Sequence, residues 1–196
     1  MTPIELSSNE TIEKRLQEFS VLNKQGNNEW FSELCFCVLT ANSRADKAIA
    51  IQQKLGVYGF LNKTEQELSF IIQSHAHRFH NNKAKYIVAA RKYKNIKDLL
   101  HNLSDQDARE FLVKNIKGIG YKEASHFLRN VGYSNLAIID RHILRFLYKE
   151  KLIEEIPKTI TYKKYLAYEK ILGIFGIQHD RLDLIIWEKM TGKVLK

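Results

Sequence analysis

Lys117-Gly118-Ile119-Gly120-Tyr121-Lys122 lies between two segments of helical periodicity, and Ile138-Ile139-Asp140-Arg141-His142 follows, with Asp140 eighteen positions after Lys122. Upstream, Ser104 caps a helix through Ala108, Phe111 and Leu112 that stops at Lys117-Gly118. Downstream, a helix starts near Gly120 and carries Ala124, Phe127, Leu128 and Val131 as far as Gly132. Asp140 then opens a third helix whose apolar face is Ile143, Leu144 and Leu147. A helix, a glycine-flanked turn and a second helix form a helix-hairpin-helix, which aims unsatisfied amides at an anion such as a nucleic-acid phosphate without reading sequence. Gly118 and Gly120 allow the backbone angles and the close approach that a Cβ would obstruct. An ordinary αα-hairpin closed by a glycine C-cap fits the same residues.

Outward from this hairpin the chain keeps helical spacing. Ile12, Leu16 and Phe19 form one stripe, and Trp30, Leu34, Cys37 and Val38 another, apolar enough for a central helix. Ile49 and Leu55 precede a Gly56-Val57-Tyr58-Gly59 turn. Thr64 with Glu67 forms a capping box before Leu68, Ile71 and Ile72. Lys83 to Tyr93 reads as a helix, and two more are expected around residues 162–174 and 180–190. The only prolines are Pro3 and Pro157, so long helices run uninterrupted. No period-2 segment, repeat or Gly/Ser linker interrupts this. The expected fold is all-α: one unit over residues 1–196, in two helical lobes (30–120, and 1–29 plus 121–196) with the hairpin at the cleft between them.

A net charge of +9 over 196 residues favours a polyanionic partner. Cys35 and Cys37 are the only cysteines, two apart within an apolar run, and read as buried thiols of a reducing compartment. No apolar run reaches membrane-spanning length. Met1-Thr2-Pro3-Ile4-Glu5 lacks the charged-then-apolar layout of a signal peptide. A soluble, intracellular protein at the chromosome is expected.

Lys122 falls in the first turn of its helix, where the dipole is positive and a cation is disfavoured. An amine placed there suits nucleophilic attack, although a solvated surface lysine is the plainer reading. Asp140 reads as an N-cap, and a capped carboxylate is also fixed in place as a partner for a developing cation. The Ile138-Ile139 pair before it suggests a buried approach, so the carboxylate emerges at a cleft floor.

Gly118-Ile119-Gly120-Tyr121-Lys122, with Ile139-Asp140-Arg141-His142 at this spacing, resembles the helix-hairpin-helix DNA glycosylase superfamily that includes endonuclease III, with Lys117 replacing the family's turn proline. The resemblance implies Lys122 as nucleophile, Asp140 as its acid/base partner, and Gly118 and Gly120 as DNA contacts. Endonuclease III-like chains carry a C-terminal cysteine loop for an iron–sulfur cluster. Here no cysteine follows Cys37, so no cluster is expected.

Glu33 to Asn42, Arg78 to Ile87, and Leu182-Asp183-Leu184 through to Lys196 instead resemble the short, type-2 8-oxoguanine DNA glycosylase/AP lyases, over nearly the whole chain. That likeness implies substrate-binding roles for Lys196, whose backbone carboxylate would help read the damaged base, and for Trp187, lining the pocket. A frayed basic tail and a core tryptophan are the plain alternatives. The endonuclease III pattern places Phe79 and Asn42 at wedge positions that fill the hole left by an extruded nucleotide. Phe79 fits a satellite core contact equally well. Lys83, among Arg78, Lys85, Arg91, Lys92 and Lys94, stands as a phosphate contact or part of a solvated face. His75, His77 and His80 fall on different helix faces, and no metal is expected.

The implied activity is bifunctional: excision of 8-oxoguanine through a lysine Schiff base, then strand cleavage by β-elimination, without a cofactor. The implied partner is double-stranded DNA bearing 8-oxoguanine or abasic sites, handled by a monomer. An oxidised-pyrimidine glycosylase and a non-enzymatic hairpin module that only holds DNA remain open alternatives.

Overall fold

The computed structural model describes residues 6–196. Met1 to Glu5, on which the expectation about a leader rests, lie outside the described residues. The described chain is built of α-helices and two short 3₁₀ turns, with no strand among the described residues. In chain order the helices are α1 (Glu10–Lys24), α2 (Asn27–Thr40), α3 (Ala45–Asn62), α4 (Glu65–Ser74), α5 (His80–Ala90), α6 (Ile96–Leu100), α7 (Asp105–Asn115), α8 (Tyr121–Asn130), α9 (Arg141–Lys149), α10 (Tyr162–Leu172) and α11 (His179–Thr191).

The central helix expected from the apolar run is α2, in which every residue from Trp30 to Thr40 is buried. A helix buried on all sides has nowhere to send its C-terminal carbonyls except to other side chains. Thr40 Oγ1 donates to Cys37 O at 2.9 Å, Lys83 Nζ donates to Val38 O at 2.7 Å, and His77 Nε2 lies 2.9 Å from Leu39 O. These caps fix the turn that follows, where Asn42 takes a left-handed φ of 58°.

Three cores organise the rest. The first gathers α2 with Ile51, Phe60, Leu68, Ile87 and Leu112, and takes in Ala124, Phe127 and Leu128 of α8. The second joins Ile143, Leu144 and Leu147 of α9 to Tyr165 and Leu172 of α10 and Ile186 of α11. The third is small, with Ile12 and Phe19 of α1 against Leu184 and Ile185 of α11. α10 also clamps the extended segment that leads into α9. Glu169 holds buried Arg109 of α7 in a two-pronged pair at 2.8 and 3.0 Å and accepts from Ala137 N at 2.7 Å. Tyr165 Oη donates to Ala137 O at 2.8 Å and accepts from Ile139 N at 3.1 Å.

Most local signals behave as read: Thr64 and Glu67 form the capping box, and Ser104 caps α7. The Gly56 to Gly59 turn is a difference. Helix α3 runs across it with a kink at Gly56 (φ 57°, ψ −176°), because the residues beyond resume helical geometry and bury Gly59 and Phe60. Helix α6 has no counterpart in the sequence reading, being a five-residue segment with too few turns to show a period.

The hairpin joins α7 to α8 through residues 116–120. Gly118 has φ +85°, and a Cβ built on it would lie 2.5 Å from the Tyr86 ring. Both conditions exclude a side chain. We expect Gly118→Ala to lower stability by roughly 1–3 kcal/mol, seen as a drop in the urea midpoint at constant slope. An unchanged midpoint would show that the turn relaxes freely.

Candidate active site

Helix α8 presents Lys122 and, one turn on, His126 to the same side, and both line a cavity of about 780 Å³. The Lys122 ammonium lies 3.7 Å from Glu123 Oε1, and its side chain is 30% exposed, so the amine is reachable from the cavity. Glu123 Oε2 also accepts from Gly120 N at 3.3 Å, which places an acid at the helix N-terminus beside the lysine. Among the described residues, nothing accepts from the amides of Lys117 or Gly118, and both residues are exposed at the turn. A dipole end with free amides is the physical requirement for an anion contact.

Asp140 caps α9 through one oxygen. Its Oδ1 accepts from His142 N at 2.8 Å and Ile143 N at 2.9 Å, while among the described residues nothing donates to Oδ2. The Tyr165 and Glu169 clamp sets the approach, so the carboxylate is held by the backbone on one side and open to the cavity on the other. Lys122, Asp140, Gly118 and Gly120 all line this one cavity.

Its walls contain polar atoms with no partner. His126 is 7% exposed, and among the described residues neither of its ring nitrogens has a hydrogen-bond partner. Its ring stands edge-on to Phe36 at 5.7 Å. Burial holds this imidazole well below the usual histidine range, and the positive charges of Arg129, Lys122 and Lys196 push the same way, while the nearby Lys196 backbone, short of a well-formed hydrogen bond, opposes them. Trp187 Nε1 is likewise buried without a partner, with the ring 4.6 Å from that of His142. A cavity that leaves buried donors and acceptors unsatisfied is shaped for a polar occupant. Behind it runs a charged relay. Asp183 pairs with Arg129, Arg129 donates to Asn130 Oδ1 at 2.9 Å, Asn130 donates to Glu33 at 2.6 Å, and Lys196 Nζ lies 2.6 Å from Glu33. Burial raises the Asp183 carboxyl to about 6, against the pull of Arg129.

The cavity therefore collects Lys122, Asp140, Gly118, Gly120, Asn42, Trp187 and Lys196. Two expected contacts fall elsewhere. Phe79 is not part of this lining; it sits 40% exposed at the start of α5 with the Arg78 guanidinium 5.0 Å from its ring centre. Lys83, expected among the phosphate contacts, is 4% exposed and caps α2 from below. Burial lowers its ammonium to about 8, and an ammonium enclosed by protein is not presented to a phosphate. Among the described residues, no group of three or more His, Cys, Asp and Glu side chains is placed to hold a metal. His77 is occupied by Leu39 O, and His80 lies 3.0 Å from Ser69 Oγ. The sequence reading missed His126, Glu123, Arg129 and Glu33. The i, i+4 spacing of His126 from Lys122 was the one signal available for any of them.

An all-helical fold with a glycine hairpin opening onto this cavity is the architecture of the helix-hairpin-helix DNA glycosylases. A family model described as 8-oxoguanine DNA glycosylase matches residues 12–180, and the chain belongs to that family. A relative named 8-oxoguanine DNA glycosylase/AP lyase from Methanocaldococcus jannaschii is 54% identical, over 94% of this chain and 91% of its own. The crystal structure of the M. jannaschii glycosylase/lyase in complex with 15mer DNA containing 8-oxoguanine superposes with a TM-score of 0.92 at 53% identity, covering 95% of this chain and 92% of that one. The crystal structure of the 8-oxoguanine DNA glycosylase of Thermotoga maritima gives 0.89 at 42%, covering 95% and 91%.

Two buried histidines, His77 and His126, and the half-buried His179 give the fold a pH signature. Burial lowers His77, His126 and His179 relative to the unfolded chain, so the unfolded state takes up protons first as pH falls through about 6.5. Stability is then lost with falling pH. Asp183, raised to about 6, acts in the opposite sense, but only below that point. Calorimetry at about pH 7.5 and about pH 6 should show a melting temperature a few degrees lower at the acid end, with a smaller difference in His126→Gln. An equal or higher value at the acid end would mean these imidazoles are protonated in the fold.

Proposed function

We propose that this protein is a bifunctional repair enzyme that excises 8-oxoguanine from duplex DNA and cleaves the strand at the resulting abasic site, with Lys122 as nucleophile and Asp140 as its acid/base partner. The reading is carried by one observation: an accessible amine and a half-free carboxylate line the same cavity, directly behind a hairpin with unpaired amides.

The hairpin amides take a phosphate of the damaged strand, and the basic surface neutralises its neighbours. The nucleotide leaves the stack at a cost of a few kcal/mol and enters the cavity. Asn42, held at its left-handed turn on the rim by the caps of α2, is positioned to meet the duplex where that nucleotide departs. Phe79, 40% exposed at the start of α5, is the second wedge we assign to the duplex.

In the cavity Lys122 surrenders a proton towards Asp140, and its nitrogen bonds to C1′ as the C1′–N9 bond breaks. The bonding pair leaves with the base, which takes up a proton. Asp140 Oδ2 faces the positive charge that grows on the sugar. The sugar ring then opens: the nitrogen lone pair forms the C1′=N bond as the C1′–O4′ bond breaks, O4′ takes up a proton, and the protonated Schiff base results. This acidifies the C2′ hydrogen, and its removal expels the 3′-phosphate oxygen.

8-Oxoguanine differs from guanine by its C8 oxygen and by an N7–H in place of a bare N7 acceptor. The unpartnered edges of His126 and Trp187 and the residue 196 backbone are the groups we assign to the base. A polar mismatch at such a site discriminates more sharply than a difference of one atom in shape.

The direct test is single-turnover incision of a duplex with one 8-oxoguanine. The wild type should release the base and cut the strand, and a guanine control should stay intact. Asp140→Asn should slow base release by roughly a hundredfold or more with affinity for the duplex little changed. Equal loss of binding and release would make Asp140 a helix cap only, and cleavage of oxidised pyrimidines alone would replace the substrate. Affinity should fall steeply between about 50 and about 200 mM salt, and a flat response would remove the phosphate contacts.

A further inference from the structure

A carboxylate buried on the central helix is costly unless it is fully paired. Glu33 is 2% exposed, and three groups answer it. Its Oε1 accepts from Asn130 Nδ2 at 2.6 Å, and its Oε2 accepts from Gln52 Nε2 at 3.1 Å and from Lys196 Nζ at 2.6 Å. The last partner is unusual, because it comes from the tail beyond α11 and not from the helical frame. Gln52 turns its other end to the same ammonium, with Oε1 accepting from Lys196 Nζ at 2.7 Å. Phe36 lies on the same face of α2 as Glu33, three residues on, and its ring centre is 4.4 Å from that ammonium. The tail has a second hold at Val194, which packs on the Ile12, Phe19, Leu184 and Ile185 core. Leu195 and Lys196 then form part of the cavity lining.

We propose that Glu33 is a positioning residue for base recognition: by pinning the Lys196 ammonium it seats the tail as the wall of the base cavity. It touches neither the sugar nor the hairpin, so it governs which base is released and leaves strand cleavage at a ready-made abasic site to Lys122. Phe36 links the two parts of that wall, holding the ammonium over its face and the unpartnered His126 ring at its edge. This inference rests on the function proposed above.

The test is the ratio of two single-turnover rates, excision from an 8-oxoguanine duplex over cleavage of a preformed abasic site, in the full chain. Glu33→Gln keeps the shape but sets an amide donor against the donors of Asn130, Gln52 and Lys196. Lys196→Met removes the ammonium, and its side chain is 21% exposed, so this variant should fold whether or not the first one does. Each should lower the ratio by about tenfold or more. The double variant should be no lower than the worse single one, since both break one contact. An unchanged ratio in Lys196→Met, or a double variant equal to the product of the two losses, overturns the proposal. A loss of both rates in equal proportion, with a lower melting temperature, makes Glu33 a structural residue and overturns it as well. A wild type that leaves 8-oxoguanine in place defeats the proposed function itself. A wild type that removes it while Lys196→Met keeps the ratio defeats this inference alone.

Discussion

Helix α8 has to serve two cores at once. Ala124, Phe127 and Leu128 are committed to the core around α2, while Tyr121 packs on the core built by α9, α10 and α11. With those faces occupied, the remaining side, carrying Lys122 and His126, is left to line the opening between the two sets of helices. The hairpin before α8 can only be tight, because Gly118 lies against Tyr86. Position of the amine, direction of the free amides and existence of the cavity are thus consequences of one helix shared between two apolar cores.

The polar groups near the cavity follow the same logic of confinement. Buried charge is tolerated where every lone pair and proton is answered. The relay from Asp183 through Arg129, Asn130 and Glu33 to Lys196 meets that demand along its length. Arg109 meets it in part, pairing both terminal nitrogens with Glu169 and lying against the Tyr121 and Tyr165 rings while its Nε has no partner among the described residues. Against that background the unanswered atoms of His126 and Trp187 stand out, and both face the cavity. Among the described residues Arg15 Nε, Arg109 Nε and His179 Nδ1 are also buried without a partner, but none of these lines the cavity, whereas the open atoms of His126 and Trp187 are placed where a bound base could complete them.

What the sequence disclosed was local. The hairpin glycines, the Ser104, Thr64 and Asp140 caps and the apolar face of each long helix act within one or two turns, and the structure contains them all. Long-range pairing was hidden. Nothing within a few residues of Lys83 shows that its ammonium caps a helix forty-five positions away, so a core lysine read as a surface cation. Glu33 and Lys196 are likewise separated by almost the whole chain, and only folding makes them neighbours. Gly56 carried a true signal, a positive φ, but a kink inside α3 and a turn between helices ask the same of a glycine.

The account turns on the Lys122 amine being the group that meets the sugar. The measurement that tests this most directly is reduction with borohydride during reaction on an 8-oxoguanine duplex, followed by proteolysis and mass mapping of the cross-linked peptide. The account places the adduct on the peptide containing Lys122 and on no other lysine. An adduct on Lys83 or Lys196, or strand cleavage at full rate with nothing trapped, would contradict it.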